Sequence, residues 1–181
     1  MVAIREASRH DRDAVWEILR AVVAAGDTYV FDPEIPREEA LVYWFQPGTR
    51  TYVAESEGRV VGTYILRPNR PGLGSHVSNT AFMVSPSARR LGIGRAMGEH
   101  CLDEARRLGY RAMQFNFVVS TNEPAVELWK RLGFTIVGTL PGAFRHRTRG
   151  FVDVYVLFRT LAGRDEPGAA DGPASRMSDG N

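Results

Sequence analysis

The chain has 181 residues, of which 44% are hydrophobic and 24% are charged, a composition typical of a single globular domain. Its formal net charge of +2 is too small to indicate a nucleic-acid-binding protein, and its single cysteine excludes an internal disulfide and a cysteine-rich metal site. No apolar stretch approaches the ~20 residues of a membrane span, and the first residues lack the apolar segment of a signal peptide, so we expect a cytoplasmic protein that contacts no membrane. We also expect it to hold no metal.

The predicted elements alternate between extended and helical patterns along the chain. In the first helix Ser8 is a suitable N-cap, and the apolar residues after it recur at the spacing of one buried helix face. These residues are Val15, Ile18, Leu19, Val22 and Val23. In chain order we predict a strand at 2–6, helices at 8–26 and 37–45, strands at 51–55, 59–66 and 76–84, a helix at 92–108, a strand at 112–118, a helix at 124–133, and strands at 134–140 and 151–158.

Three segments lack a regular pattern. Residues 27–33 form a loop that is rich in aromatic and acidic side chains, and residues 141–150 are predicted to be a polar loop between the last two strands. Residues 162–181 consist largely of Gly, Ala, Pro and Ser, so we expect a disordered tail after a domain at 1–161.

A short basic loop joins the strand that ends near Val84 to the helix that begins near Ile93. Gly92 and Gly94 fall where the loop becomes the helix, a place where backbone amides lack partners beside the positive end of the helix dipole. Two glycines allow a ligand to approach the backbone closely, and the neighbouring arginines add positive charge. The stretch therefore predicts a phosphate-binding loop, the alternative being an ordinary strand-to-helix turn with surface arginines.

Two familiar phosphate-binding motifs do not fit this loop. A P-loop requires Lys followed by Ser or Thr, but Arg95 and Ala96 stand at those places. A dinucleotide fingerprint requires Gly or Ala at position 97, which is Met97, and an acidic residue that is missing from 114–118. The pattern that remains is Arg-x-x-Gly-x-Gly at 89–94.

This pattern resembles the acetyl-CoA loop of the GNAT superfamily of N-acetyltransferases. A second motif, Asn-x-x-Ala-x-x-Leu-Trp-x-x-Leu-Gly-Phe at 122–134, resembles the signature that the family carries on the helix before its last hairpin. The order of the predicted elements is also that of the GNAT fold, over about residues 3–159. The resemblance implies an α/β (α+β) fold with a single mixed, largely antiparallel sheet of about seven strands, a splayed parallel strand pair and about four helices.

The resemblance further implies that acetyl-CoA is the co-substrate and that its acetyl group passes to an amine. In the family the pantetheine arm pairs with the strand before the loop as an extra strand does, and the loop holds the pyrophosphate. Asn122 is expected to cap its helix and to reach the pantetheine. The implied cofactor contacts are Phe82, Met83, Val84, Arg89, Arg90, Leu91, Gly92, Ile93, Gly94, Arg95, Ala96, Asn122, Ala125 and Trp129.

The catalytic groups that the resemblance implies are Asn122 and the backbone amide of Val84, which polarises the thioester carbonyl. A typical member protonates the leaving thiolate with a tyrosine of the Asn-x-x-Ala helix, but Trp129 stands there, and an indole N–H is no acid near neutral pH. Solvent, Tyr155 and the protonated amine remain as sources of this proton. The amine is deprotonated either by a water chain or by one of four candidate bases, which are Asp32, Glu34, His76 and Asp153.

Two asparagines suggest the class of acceptor. Asn79 and Asn116 lie in otherwise apolar strands, where an amide is costly unless it finds hydrogen-bond partners. Together with their aromatic neighbours they resemble the L-azetidine-2-carboxylate acetyltransferase type, which implies that they bind the carboxylate of an amino-acid-like acceptor. The aromatic residues Tyr29 and Phe31 are expected to wall a small pocket. The alternative is that neighbouring backbone groups satisfy both amides.

Three functions therefore stay open. The preferred function is N-acetylation of a small amino-acid-like metabolite, and the others are a protein or peptide N-acetyltransferase and a non-catalytic acyl-CoA sensor. The last predicted strand, 151–158, is apolar enough to pair two copies in a homodimer.

Overall fold

The structure, a computed structural model, describes residues 2–161, which contain seven strands and four α-helices. The strands are β1 (Val2–Glu6), β2 (Arg50–Ser56), β3 (Arg59–Pro68), β4 (Val77–Val84), β5 (Ala112–Val119), β6 (Thr135–His146) and β7 (Gly150–Thr160). The helices are α1 (Arg12–Val23), α2 (Arg37–Trp44), α3 (Ile93–Arg107) and α4 (Glu123–Arg131). The tail predicted at 162–181 lies outside the described residues.

All seven strands belong to one sheet, in the order β1-β2-β3-β4-β5-β7-β6. Neighbouring strands are antiparallel except β4 and β5, which are parallel. The predicted mixed, largely antiparallel sheet with one parallel pair is therefore confirmed. Within residues 2–161 no helix combines the length and the apolar character that a membrane span requires.

Helices cover both faces of the sheet, and the alternation of side chains along β3 illustrates this. Ile65 packs against α1 and α2, whereas its neighbours Tyr64 and Leu66 pack in the cluster beneath α3 and α4. The apolar stripe predicted for α1 is buried along its whole length. The central strands are thus held rigidly from both sides, and the site described below is formed between two of them.

The parallel pair separates after three residues. The register of β4 and β5 joins Val77 to Ala112 and ends where Asn79 faces Gln114. Beyond that point β4 stays paired with β3, and β5 stays paired with β7. Because each strand keeps its outer neighbour, a gap opens between their carboxyl-terminal halves.

The prediction of a polar loop at 141–150 is wrong. Strand β6 continues to His146 and pairs with β7 as far as Gly150, so that the turn between them is short. The register shifts between Leu140 and Phe144, and this irregularity accommodates Pro141, which has no backbone N–H to donate to a ladder. A proline that suggests a loop in the sequence thus lies at a β-bulge.

The terminal hairpin lies against the beginning of the aromatic loop. The backbone N–H of Arg147, in the turn, donates a 3.0 Å hydrogen bond to the carbonyl of Gly26. Strand β7 lies between β5 and β6, so its backbone is paired on both sides and β6 is the edge strand at this end. Pairing with a second copy therefore stays a prediction, although Phe151 on β7 is 76% exposed.

Candidate active site

The backbone of β4 directs two residues into the gap. Asn69 N–H donates to Val77 C=O, and Ser85 N–H donates to Val61 C=O, each at 2.8 Å, so the odd-numbered residues of β4 face β3. Backbone groups alternate in direction along a strand, and the N–H and C=O groups of Phe82 and Val84 therefore face the gap, without a strand partner among the described residues. The cofactor contact expected from the main chain of Met83 does not lie there, because Met83 pairs with Thr63 of β3.

The loop predicted to bind phosphate leads into an uncapped helix. Gly92 has a φ of 77° and Arg90 a φ of 65°, so the loop turns twice through the left-handed region before α3 begins. No side chain caps α3, and its first backbone amides have no acceptor within the helix. A turn of this shape with free N–H groups is suited to an anion.

Gly94 has no packing role that requires a glycine. A Cβ atom at Gly94 would lie 3.4 Å from Leu128 and 3.9 Å from Val84, which are ordinary van der Waals distances. Its φ is not positive, in contrast to that of Gly92. The described chain would therefore accept a methyl group at this position.

The arginines of the loop differ in what they contact. Arg95 forms an i,i+4 ion pair with Glu99 at 2.8 Å. Arg89 and Arg90 are exposed and form no ion pair within residues 2–161. The cationic side chains available to a phosphate are thus those of Arg89 and Arg90.

Asn122 occupies the N-cap position of α4, but its side chain does not cap the helix. The backbone C=O of Asn122 accepts from the N–H groups of Ala125 and Val126, at 3.0 and 3.1 Å, while no hydrogen bond from the side chain closes the helix end. The prediction of side-chain capping is therefore wrong. The amide instead lines the cavity between the strands, together with Ala125 and Trp129.

Trp129 belongs to an aromatic cluster beneath the gap. Its ring centroid lies 4.5 Å from that of Phe115 and 4.8 Å from that of Phe82, and the residue is 6% exposed. Tyr155 packs against the same cluster but is absent from the cavity lining. The structure thus brings Trp129 to the gap and leaves Tyr155 below it.

A cavity of about 190 Å³ continues from this gap towards the aromatic loop. Tyr29 and Phe31 form one wall, with stacked rings whose centroids are 6.2 Å apart. The Tyr29 hydroxyl donates a 2.7 Å hydrogen bond to the carbonyl of Phe82, and burial raises the pKa of this phenol above its ordinary value. Both residues predicted to wall the pocket lie in its wall.

The described lining of the cavity contains no carboxylate and no imidazole. Three of the candidate bases have hydrogen-bond partners elsewhere: His76 contacts Leu73 C=O, Asp32 accepts from Glu34 N–H, and Asp153 accepts from Gly142 N–H. Glu34 is exposed and also lies outside the lining. The structure brings none of the four to the cavity.

The two asparagines differ in their surroundings. Asn79 is 8% exposed, and its Nδ2 donates to Gln114 C=O at 3.1 Å. Asn116 lies in the apolar strand β5 as expected but is exposed, so the expected cost of burying its amide does not arise. Its side chain accepts from Gln114 Nε2 and donates to Asn69 Oδ1, both at 2.8 Å. Both asparagines line the cavity.

Arg67, which no motif in the sequence marks, also lines the cavity. Its Nη2 donates a 2.9 Å hydrogen bond to the hydroxyl of Tyr43, and its Cζ lies 4.7 Å from the centroid of that ring. At the end of a strand and before Pro68, an arginine looks like a surface residue. The signal that identifies it is its register with Asn79 on β4, which only the structure supplies.

Comparisons with known proteins agree with this geometry. A model described as the Acetyltransferase (GNAT) family matches residues 14–134. The N-acetyltransferase aca1 of Schizosaccharomyces pombe is 33% identical over 151 residues. The match covers 74% of this chain and 72% of that protein.

Two solved structures share the fold. A GCN5-related N-acetyltransferase from Kribbella flavida is 44% identical, with a TM-score of 0.84 over 88% of this chain and 97% of that one. The protein yncA of Salmonella typhimurium, solved with its cofactor acetyl-CoA, is 25% identical, with a TM-score of 0.81 over 93% of this chain and 99% of that one. The separated parallel strands, the glycine loop and these similarities lead to one conclusion: the chain belongs to the GNAT family of acetyltransferases.

Proposed function

We propose that this acetyltransferase moves the acetyl group of acetyl-CoA to the amine of a small acceptor that carries a carboxylate. The observation that carries the proposal is the cavity of about 190 Å³ that joins the gap between β4 and β5 to a pocket with a cationic side chain and no anionic one. A donor in the gap and an acceptor in the pocket would meet at the end of β4.

Residues on both sides of the gap fit acetyl-CoA, which supplies an activated thioester. The loop at 89–96 offers free backbone amides and the exposed side chains of Arg89 and Arg90 to a pyrophosphate. The backbone groups of Phe82 and Val84 suit the amide groups of a pantetheine arm, which would add to β4 as a strand does. Asn122 points an uncommitted amide into the same space.

The proposed chemistry is direct attack of the amine nitrogen on the thioester carbonyl carbon. The amide N–H of Val84 stabilises the oxygen as it becomes negative. The carbon–sulfur bond then breaks, the thiolate leaves, and a proton of the attacking nitrogen passes to the sulfur. This proton source replaces Tyr155, which lies outside the cavity lining, and Trp129, whose indole is no acid.

The charge in the pocket favours an acceptor with an anionic group. Arg67 is the charged side chain in the described lining, and a purely cationic acceptor such as a lysine side chain would face it without compensation. A carboxylate neutralises the guanidinium, and the guanidinium in turn disfavours protonation of a nearby amine. The charge of the pocket therefore favours an amino acid over a peptide lysine. The L-azetidine-2-carboxylate type stays a prediction within this class.

A turnover assay that detects the free thiol of coenzyme A tests the proposal. We expect acetylation of amino acids with a free carboxylate, cyclic secondary amines included, at a kcat/KM above that for lysine-containing peptides. Preference for the peptides contradicts the small-acceptor proposal. Binding of acetyl-CoA without turnover of any amine identifies a sensor instead.

A further inference from the structure

We infer that Arg67 selects the acceptor by binding its carboxylate, with Tyr43 holding the guanidinium in place. This inference rests on the proposed function, since it names the residue that gives the pocket its substrate class. It also revises the expectation that Asn79 and Asn116 supply the carboxylate site.

Arg67 is held in one orientation by two contacts with Tyr43. The guanidinium lies over the ring, with 4.7 Å from Cζ to the centroid, and one of its nitrogens donates to the hydroxyl at 2.9 Å. Neither contact supplies a negative charge, although contact with an aromatic face is favourable for a cation. The side chain is therefore oriented but not neutralised.

The guanidinium retains most of its capacity to donate hydrogen bonds. An arginine carries five N–H donors in a planar fork that matches a carboxylate, and the Tyr43 hydroxyl uses one of them. Arg67 is half-buried and forms no ion pair within residues 2–161. A partly desolvated cation without a counterion is unfavourable, so an anion that enters the cavity gains a charge-assisted, two-point contact.

Each of the two asparagines has already committed one of its two side-chain N–H donors. Asn79 Nδ2 donates to Gln114 C=O, and because a backbone carbonyl only accepts, this bond fixes which end of the amide is nitrogen. Asn116 Nδ2 donates to the side-chain Oδ1 of Asn69. The oxygen of Asn79 accepts no hydrogen bond from the described residues, and an oxygen attracts an amine N–H rather than a carboxylate.

The places of Arg67 and Asn79 along their strands indicate how the carboxylate and the amine of the acceptor would be oriented. Arg67 and Asn79 are neighbours across β3 and β4, and Phe82 follows Asn79 by three residues, about 10 Å along the strand. The backbone of Arg67 therefore lies beside the end of β4 that is farther from Val84. A small amino acid bound by its carboxylate at Arg67 directs its amine past Asn79 towards the gap.

The test compares an amino acid with its carboxamide, which keeps the amine and loses the charge. Proline and prolinamide form one such pair, and any amino acid that is turned over supplies another. Steady-state kcat/KM is measured for both partners with wild type, Arg67→Gln and the control Arg70→Gln, an exposed arginine nearby that lies outside the cavity. Titration calorimetry of the same compounds in the presence of coenzyme A gives their Kd without turnover.

We expect wild type and Arg70→Gln to prefer the carboxylate by about 10- to 100-fold, the range for a charged hydrogen-bonded contact. Arg67→Gln should lose this preference through the acceptor KM and Kd, while the KM for acetyl-CoA stays unchanged. Arg67→Lys keeps the positive charge but loses the planar set of donors, so its preference for the carboxylate should lie between those of wild type and Arg67→Gln. It also serves as the second variant if Arg67→Gln does not fold.

The two readouts distinguish the possible failures. If wild type acetylates amines and Arg67→Gln keeps the preference for the carboxylate, the inference about Arg67 is overturned and the proposed function stands. If the carboxylate binds in an Arg67-dependent way but no amine is acetylated, the proposed function fails and the anion site stands. If wild type binds the acid and the carboxamide equally, Arg67 selects nothing.

Discussion

The hydroxyl of Tyr29 donates a 2.7 Å hydrogen bond to the carbonyl of Phe82, which joins the aromatic loop to the strand gap. The wall of the cavity is thereby attached to a residue whose backbone faces the gap between β4 and β5. A carbonyl has two lone pairs, so this bond leaves one acceptor site of Phe82 free for a group in the gap. In the proposed function, the donor and acceptor subsites thus share one peptide unit.

Replacing Tyr29 by Phe should loosen the pocket wall more than it weakens the donor site. Loss of a neutral hydrogen bond costs about 0.5–1.5 kcal/mol, so we expect the acceptor KM to rise about 2- to 10-fold. The KM for acetyl-CoA should change less than about twofold, because the carbonyl of Phe82 remains. Tyr110→Phe is the control, since its hydroxyl lies outside the cavity and forms no hydrogen bond within the described chain. An equal rise of both constants in Tyr29→Phe contradicts the division of roles.

Gly94→Ala should separate folding from donor binding. The new methyl group meets Leu128 at an ordinary distance, and Ala is a better helix residue than Gly, so the free energy of unfolding should be unchanged or higher by up to about 1 kcal/mol. The same methyl group intrudes where a phosphate or pantetheine would approach, and the KM for acetyl-CoA should rise about tenfold or more. Chemical denaturation and steady-state kinetics measure the two effects.

Gly92→Ala provides the contrast for that variant. With a φ of 77°, Gly92 needs the left-handed region, so alanine there should destabilise the protein by about 1–2 kcal/mol as well as weaken donor binding. If Gly94→Ala binds acetyl-CoA as tightly as wild type does, the loop does not hold the donor as proposed.

Asn122→Ala should lower donor affinity without destabilising α4. The side chain makes no capping bond, so the usual loss of about 1 kcal/mol for a cap should be absent, while the KM for acetyl-CoA rises several-fold. Ser8→Ala is the matched control, since the Ser8 hydroxyl accepts from His10 N–H at 3.2 Å and caps its helix turn. That variant should lose stability and keep its kinetics. If Asn122→Ala instead loses stability and keeps its KM for acetyl-CoA, Asn122 has a purely structural role.

The pH dependence of kcat/KM should follow the acceptor rather than the protein. The described lining of the cavity holds no carboxylate or imidazole, and burial keeps Tyr29 protonated by raising its pKa. The rate should therefore rise with pH through the pKa of the acceptor amine, because the protonated amine cannot attack. A series of acceptors of decreasing basicity should shift the profile to lower pH by the same amounts. A midpoint that stays constant across the series instead reveals a base on the enzyme.

The fold was largely predictable, because periodicity and glycine positions are local properties. The stripe from Val15 to Val23 is buried as predicted, and Gly92 and Gly94 lie at the start of a helix. The terminal hairpin was not predictable, because Pro141 lies in a bulge whose register depends on pairing with β7. A local pattern does not contain information on such pairing.

The site was predictable where a motif marks it and not where tertiary contacts create it. The family resemblance and the pattern around the glycines predict Phe82, Val84 and the loop at 89–96 as donor contacts, and these roles stay predictions. Arg67 becomes visible only through its contact with Tyr43, 24 residues away in the chain. The exposure of Asn116 likewise depends on where β5 leaves β4. Side chains that meet across the sheet are not linked by any spacing in the sequence.

Amide hydrogen exchange of β4, followed residue by residue by NMR with and without acetyl-CoA, tests most directly whether the gap receives the donor. The amide of Met83 lies in the ladder with β3 and should already exchange slowly in the free protein, whereas those of Phe82 and Val84 face the gap. We predict that saturating acetyl-CoA slows exchange at Phe82 and Val84 by about tenfold or more and leaves Met83 unchanged. Unchanged exchange at Phe82 and Val84 under saturating acetyl-CoA would contradict the account.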